Sequence, residues 1–175
     1  TMVLLSFLCI LAGMIFARRS IITLALSSLL AGVILFVSGL NWMNPQITPL
    51  VPVVKSPWLM IHVVLIMVSY GFFGISCLLG ITNIIMMKIK SVPTTIEVRI
   101  RELTIINEMS LLIGLAFLTA GVFVGAIWAN ESWGRYWGWD PKETWALITI
   151  VVYVVVTHLR MVKSWYTPFR FNLIT

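Results

Sequence analysis

Charge is scarce in this 175-residue chain. Only 10% of its residues are Asp, Glu, Lys or Arg, whereas 60% are hydrophobic and the mean hydropathy is +1.03. A soluble domain carries about 25% charged residues, so this chain has too little polar surface to cover a water-soluble globule. The same balance excludes a disordered chain. Cysteine is nearly absent: Cys9 and Cys77 each sit inside an apolar run, with no CxxC, CxxCH or zinc-ligand spacing. That excludes a disulfide scaffold, a zinc site and covalent haem attachment within this chain. Basic residues outnumber acidic ones twelve to six, yet they form no stripe of the kind a nucleic acid needs. Thr1-Met2 runs straight into apolar residues without a basic segment or a small-residue cleavage site. It does not read as a signal peptide, and the chain is expected to be a piece of a longer one.

What is present is apolar sequence in lengths that suit a bilayer. About 20 apolar residues cross roughly 30 Å of hydrocarbon. The pattern predicts an all-α, polytopic transmembrane bundle forming one membrane domain over 1–175, with spans at about 2–17, 21–40, 58–87, 109–128 and 141–162. The uncharged run 58–87 would be roughly 45 Å long at 1.5 Å per residue, so its helix must tilt or project beyond the hydrocarbon. Thr94-Thr95-Ile96-Glu97 reads as a capping box opening an amphipathic helix on the membrane surface ahead of the fourth span. Segments 18–20, 88–108 and 159–175 hold nine of the twelve basic residues, leaving Lys55, Arg135 and Lys142 for the other side. The positive-inside rule makes the first group cytoplasmic and turns the loops 41–57 and 129–143 outward.

Tryptophan is unevenly placed. Of eight, Trp42, Trp58, Trp128, Trp133, Trp137, Trp139 and Trp145 fall on the expected outer side and Trp165 on the inner. An interfacial aromatic belt would decorate both faces; this distribution points to an aromatic platform, suited to a large flat ligand. Four indoles crowd into Trp133-Gly134-Arg135-Tyr136-Trp137-Gly138-Trp139-Asp140-Pro141-Lys142-Glu143-Thr144-Trp145, where Gly134 and Gly138 permit tight turns. Asp140, Pro141 and Glu143 stand where an N-cap, a first helical residue and a reciprocal capping partner belong. The cap outweighs a paired-carboxylate acid/base site at this spacing. Gly121-x-x-x-Gly125 reads as close helix packing.

The two histidines are the ionisable groups that matter within spans. His62 lies one turn after Trp58, near the outer mouth of its helix, with Ser69 and Tyr70 on roughly its face. His158 lies 17 residues into the last span, roughly 25 Å along it, so straight helices keep the two from one metal ion. Imidazole beside an aromatic wall suits haem, which takes an axial ligand and apolar faces. The residue types favour His62 as an iron ligand over an interfacial hydrogen-bonding residue. For His158 they leave ligation and snorkelling toward the headgroups equally open. Arg135 and Lys142 are either partners for haem propionates or solvated loop charges.

The run Trp133–Trp145, preceded by Trp128-Ala129-Asn130, resembles the "WWD" signature of haem-handling proteins. Together with Pro57-Trp58-x-x-x-His62, Ser69-Tyr70 and Thr157-His158-Leu159-Arg160 it resembles the CcsA (ResC) family of system II cytochrome c biogenesis, from about residue 57 onward. Residues 1–56 add compatible hydrophobicity only. The resemblance implies that His62 is the outer haem-ligating histidine and His158 the intramembrane one. The loop 128–145 would then bind haem b non-covalently, in transit, through Trp128, Trp133, Arg135, Tyr136, Trp137, Trp139, Asp140, Lys142 and Trp145. It implies as partners a CcsB/ResB-like membrane subunit, separate or fused, and apocytochrome c, whose thiols add to the haem vinyl groups. It places the chain in a bacterial cytoplasmic membrane or a thylakoid. The family's second outer histidine, downstream of the loop, has no counterpart among these residues.

The sequence thus reads as the haem-presenting subunit of a holocytochrome c synthase, which positions haem and controls its iron without supplying a nucleophile. The alternatives are a haem exporter or chaperone without ligase activity, and a structural or quinone-binding subunit of a respiratory complex.

Overall fold

The structure is a computed structural model that describes residues 2–18, 20–40, 56–88, 94–159 and 167–175, without the side chains of Thr94 and Thr95. The loop 41–55 with Trp42 and Lys55, the basic residues Arg19, Lys90, Arg160 and Lys163, Trp165, and the capping side chains Thr94 and Thr95 lie outside the described residues. Among the described residues there are six helices: α1 (Met2–Phe16), α2 (Ile21–Ser38), α3 (Pro57–Lys88), α4 (Thr94–Trp133), α5 (Pro141–Leu159) and α6 (Pro168–Ile174). No strand accompanies them there. The protein is a polytopic helical bundle in which α2, α3, α4 and α5 are long and apolar enough to cross a membrane. α1, at 15 residues, is about 22 Å long, shorter than a hydrocarbon core.

The antiparallel pair α3–α4 is the frame on which the rest is mounted. Three glycines of α4 let α3 approach closely. A Cβ on Gly114 would stand 2.8 Å from the Phe73 ring, one on Gly121 2.8 Å from Ile66 Cδ1, and one on Gly125 2.6 Å from His62 Nδ1. The sequence reading of Gly121-x-x-x-Gly125 as a packing face is what the helices display. The α1–α2 hairpin closes on itself where Gly13 admits the Ser27 side chain, and it meets α3 where Cys9 faces Gly71. The main core joins Ala12 and Phe16 of α1 to Phe72, Ile75 and Leu79 of α3 and Leu103 and Ile106 of α4. Phe16 meets Phe72 edge-on at 6.4 Å, and Phe117 stacks on Phe72 at 6.3 Å.

One expectation fails. Residues 94–108 do not form a separate surface helix; they are the first turns of the 40-residue α4, a rod of about 60 Å. Thr104, Asn107 and Glu108 are buried there, whereas Val98 and Ile105 are exposed. The polar side chains face inward because they meet others. Asn107 Nδ2 donates to Asn172 Oδ1 (3.0 Å) and Thr175 Oγ1 (2.9 Å), and its Oδ1 accepts from the Ser76 hydroxyl. Asn83 Nδ2 donates to Thr104 Oγ1 (3.2 Å) and Asn172 Oδ1 (3.0 Å). Asn172 Nδ2 donates to Thr104 Oγ1 (3.2 Å) and to the Pro168 carbonyl (2.7 Å). This network ties α6 across α3 and α4. A Cβ on Gly80 would lie 2.9 Å from the Asn172 carbonyl oxygen, so α6 rests on the α3 backbone itself.

Candidate functional site

The loop between α4 and α5 is fixed at both ends by its own sequence. α4 stops at Trp133 because Gly134 takes φ +71° and its N–H donates to the Asn130 carbonyl at 2.8 Å, a left-handed helix stop that glycine adopts without penalty. α5 starts with the expected capping box: Asp140 Oδ1 accepts from the N–H groups of Lys142 (2.6 Å) and Glu143 (3.3 Å). Glu143 Oε2 accepts in return from the N–H of Asp140 (3.3 Å) and from that of Gly138 (2.8 Å). The Gly138 bond extends the cap backward and holds the loop against the helix start. The second left-handed residue is Trp139, at φ +56°, and not Gly138 as the glycine positions suggest. An L-residue pays about 1–2 kcal/mol for that conformation. At Gly138 a Cβ would instead crowd the Arg135 guanidinium at 3.4 Å.

Beneath this loop, His62 Nδ1 lies 2.7 Å from the Gly121 carbonyl oxygen. A carbonyl can only accept, so Nδ1 carries a proton, and in the neutral ring Nε2 keeps the lone pair. His62 lines a cavity of about 430 Å³ with Trp128, Trp133, Tyr136, Trp137, Asp140 and Lys142. Trp128 and Trp133 meet edge-on at 4.9 Å, and Trp137 and Trp139 at 5.8 Å. The indole N–H groups of Trp128 and Trp137 are buried without a partner among the described residues. Buried donors in native proteins are nearly always satisfied, and both of these residues line the cavity. An imidazole lone pair, aromatic walls, two unspent donors and one ammonium group equip the space for a flat, mostly apolar ligand with a metal centre and acidic substituents.

Seven of the eleven residues singled out by sequence therefore share one cavity. Arg135 lines an adjoining cleft with Trp133, Asp140 and Glu143. Trp145 lines another with Tyr70 and Lys142. Trp139 is 71% exposed. His158 does not line the His62 cavity; it stands exposed near the far end of α5, its Nδ1 2.7 Å from the Val154 carbonyl. That bond likewise puts a proton on Nδ1.

The cavity adds residues that the sequence marked only indirectly. Tyr70 lines it, as sharing a face with His62 suggests, whereas Ser69 does not. Glu143, expected as a cap, caps and lines at once. Gly125 lines it against the imidazole. The glycine spacing announced close packing, but nothing in a single sequence tells which α3 residue stands opposite.

Comparison with known proteins gives the family. Residues 1–170 match the family described as "Cytochrome C assembly protein". Over its full length the chain is similar to protein NrfI of Wolinella succinogenes, 44% identical over 176 residues that make up 20% of that protein. It is similar to the cytochrome c biogenesis protein CcsA of Chlamydomonas reinhardtii, 44% identical over 121 residues, covering 69% of this chain and 34% of that one. CcsA of Cyanophora paradoxa is 33% identical over 178 residues, covering 75% of this chain and 55% of that one. The chain spans between a fifth and about half of the length of these relatives.

Proposed function

We propose, because the chain belongs to the cytochrome c assembly protein family, that it is a haem-handling membrane subunit of c-type cytochrome biogenesis. It would carry haem across the bilayer and present it at the Trp loop for attachment to apocytochrome c. The observation that carries this reading is His62: an imidazole with its Nδ1 proton tied to a backbone carbonyl and its Nε2 lone pair free, lining a tryptophan-walled cavity. A ligating histidine that gives its other N–H to a carbonyl is held in one tautomer and made more basic.

In this reading haem is the cargo, and its vinyl groups supply the reactive carbons to which the thiols of the apocytochrome add. The protein's own groups position it. His62 binds iron, and Trp128, Trp133, Tyr136 and Trp137 give the macrocycle apolar walls and exclude water. Lys142, with Arg135 in the adjoining cleft, neutralises the propionates. Asp140 and Glu143 keep the loop in shape through the α5 cap. Trp139 and Trp145, both exposed, offer aromatic surface to an incoming partner. His158 serves as an earlier iron ligand deeper in the membrane. A CcsB/ResB-like subunit, separate or fused, completes the assembly.

The charge bias puts the Trp loop on the outer side, in a bacterial cytoplasmic membrane, a setting supported by the end-to-end similarity to the Wolinella protein. Reporter fusions after Pro49 and after Arg135 should score as outside and one after Lys90 as cytoplasmic; a cytoplasmic Trp loop would overturn the assignment, since it could not meet an exported apocytochrome. The purified full-length protein should show a haem spectrum, whereas a structural or quinone-binding subunit would be colourless.

A further inference from the structure

Gly121 and Gly125 lie one helical turn apart on α4; the His62 ring bonds to the carbonyl of the first and packs on the second. Gly121 offers its carbonyl to Nδ1 at 2.7 Å. At Gly125 the ring lies so close that a Cβ would stand 2.6 Å from Nδ1 and 2.7 Å from Cε1, distances at which either the ring or the helix must move. The contact differs from the one at Gly114, where the neighbour is the Phe73 ring and no hydrogen bond is at stake. Backbone thus fixes both the height of the imidazole and the nitrogen that holds its proton, with no side chain acting as orienter.

We infer that the Gly121–Gly125 turn is a backbone seat that presets His62 in the Nδ1–H tautomer, making Gly121 and Gly125 positioning residues for the iron-binding nitrogen. The inference rests on the haem reading for its purpose but not for its geometry. Neutral imidazole in water favours the Nε2–H form, so the seat has to reverse an intrinsic preference, and that reversal is measurable without any haem. A side chain on Gly125 displaces the ring from the Gly121 carbonyl, and both effects of the seat are lost together.

The test uses full-length, haem-free protein labelled with ¹⁵N-histidine above the imidazole titration range, with the His62 signals identified by their loss in His62→Gln. The wild type should show a protonated Nδ1 and an unprotonated Nε2; an Nε2–H signature for His62 overturns the seat. Gly125→Ala should shift His62 toward the Nε2–H form. In haem-loaded protein it should weaken haem binding about 10-fold or more, the range expected when the hydrogen-bond partner of a metal ligand is lost. Added imidazole should restore the wild-type spectrum. Gly114→Ala, an equally tight Cβ about three turns away, should keep both the tautomer and the spectrum. If Gly125→Ala keeps the wild-type tautomer, or if Gly114→Ala does the same damage, the glycines merely pack helices and the inference is wrong. If Gly125→Ala fails to insert, the wild-type tautomer decides. If His62→Ala leaves haem untouched, the haem reading fails while the tautomer still decides the seat.

Discussion

The two ends of the α3–α4 pair handle buried polar groups in opposite ways. At the α6 end, Ser76, Asn83, Thr104, Asn107 and Asn172 are all buried and bond to one another. Of their side-chain polar atoms, Asn83 Oδ1 alone lacks a partner among the described residues. At the Trp-loop end, two indole N–H groups have none, and an imidazole presents a lone pair beside a cavity of about 430 Å³. Polar groups inside a membrane protein are costly and mark function by default. The contrast refines that rule: a network that satisfies itself builds structure, and one left open beside free volume builds a binding site.

Substitutions at the two ends should therefore have different consequences. Asn107→Ala removes three hydrogen bonds and takes the partner from Ser76 and Thr175, while Asn172 Oδ1 keeps the bond from Asn83. At about 0.6 kcal/mol per bond on average and about 1.7 at most, it should destabilise the protein by about 2–5 kcal/mol in detergent unfolding while leaving haem bound per folded molecule unchanged. Loss of haem without loss of stability would mean that the α6 end is a second site. Asp140→Ala removes the N-cap of α5 and should cost about 1 kcal/mol, whereas Asp140→Asn keeps a capping oxygen and should fold almost normally. Complete loss of cytochrome c assembly in Asp140→Asn, at normal protein and haem levels, would give the carboxylate a chemical role beyond capping. The smallest effect is a gain. Trp139→Asn places a residue that tolerates the left-handed region at φ +56° and should raise the unfolding free energy by a few tenths to about 1 kcal/mol. A decrease would show that the Trp139 ring, at 5.8 Å from Trp137, contributes more than its backbone costs.

Much of this was legible in the sequence, for identifiable reasons. Length and hydropathy announce long helices directly, and Asp140-Pro141-Lys142-Glu143 specifies its own cap. His62 was marked by the scarcity of ionisable groups in spans and by its tryptophan neighbours. Residues 94–108 misled because Thr104 and Asn107 count as a water-facing stripe in a periodicity argument, yet they face inward onto Asn83 and Asn172. α6 went unread although Thr167-Pro168 repeats the cap-then-proline signal of Asp140-Pro141, with Thr167 Oγ1 accepting from the Arg170 N–H at 3.3 Å. The Gly125–His62 contact is long-range and leaves no trace in either local pattern.

The two histidines stand at separate places. His62 lines the cavity and His158 does not, so in the proposed reading one haem position would not use both. If haem passes from an inner site to the Trp loop, His158→Ala should contain little haem at either site, and normal loading of the loop in that variant would remove His158 from the route.

In the proposed function His62 holds haem iron at the Trp loop. The most direct test is the haem stoichiometry and absorption spectrum of His62→Ala in the full-length protein with its partner, without and with added imidazole. His62 contributes one hydrogen bond and the packing of its ring on Gly125, so haem is counted per folded molecule. The variant should lose the loop haem and its spectrum, keep haem at the inner site, and regain the loop haem and cytochrome c assembly when imidazole is supplied. An unchanged haem spectrum with full cytochrome assembly would contradict the account and leave His62 as an interfacial residue that packs on Gly125.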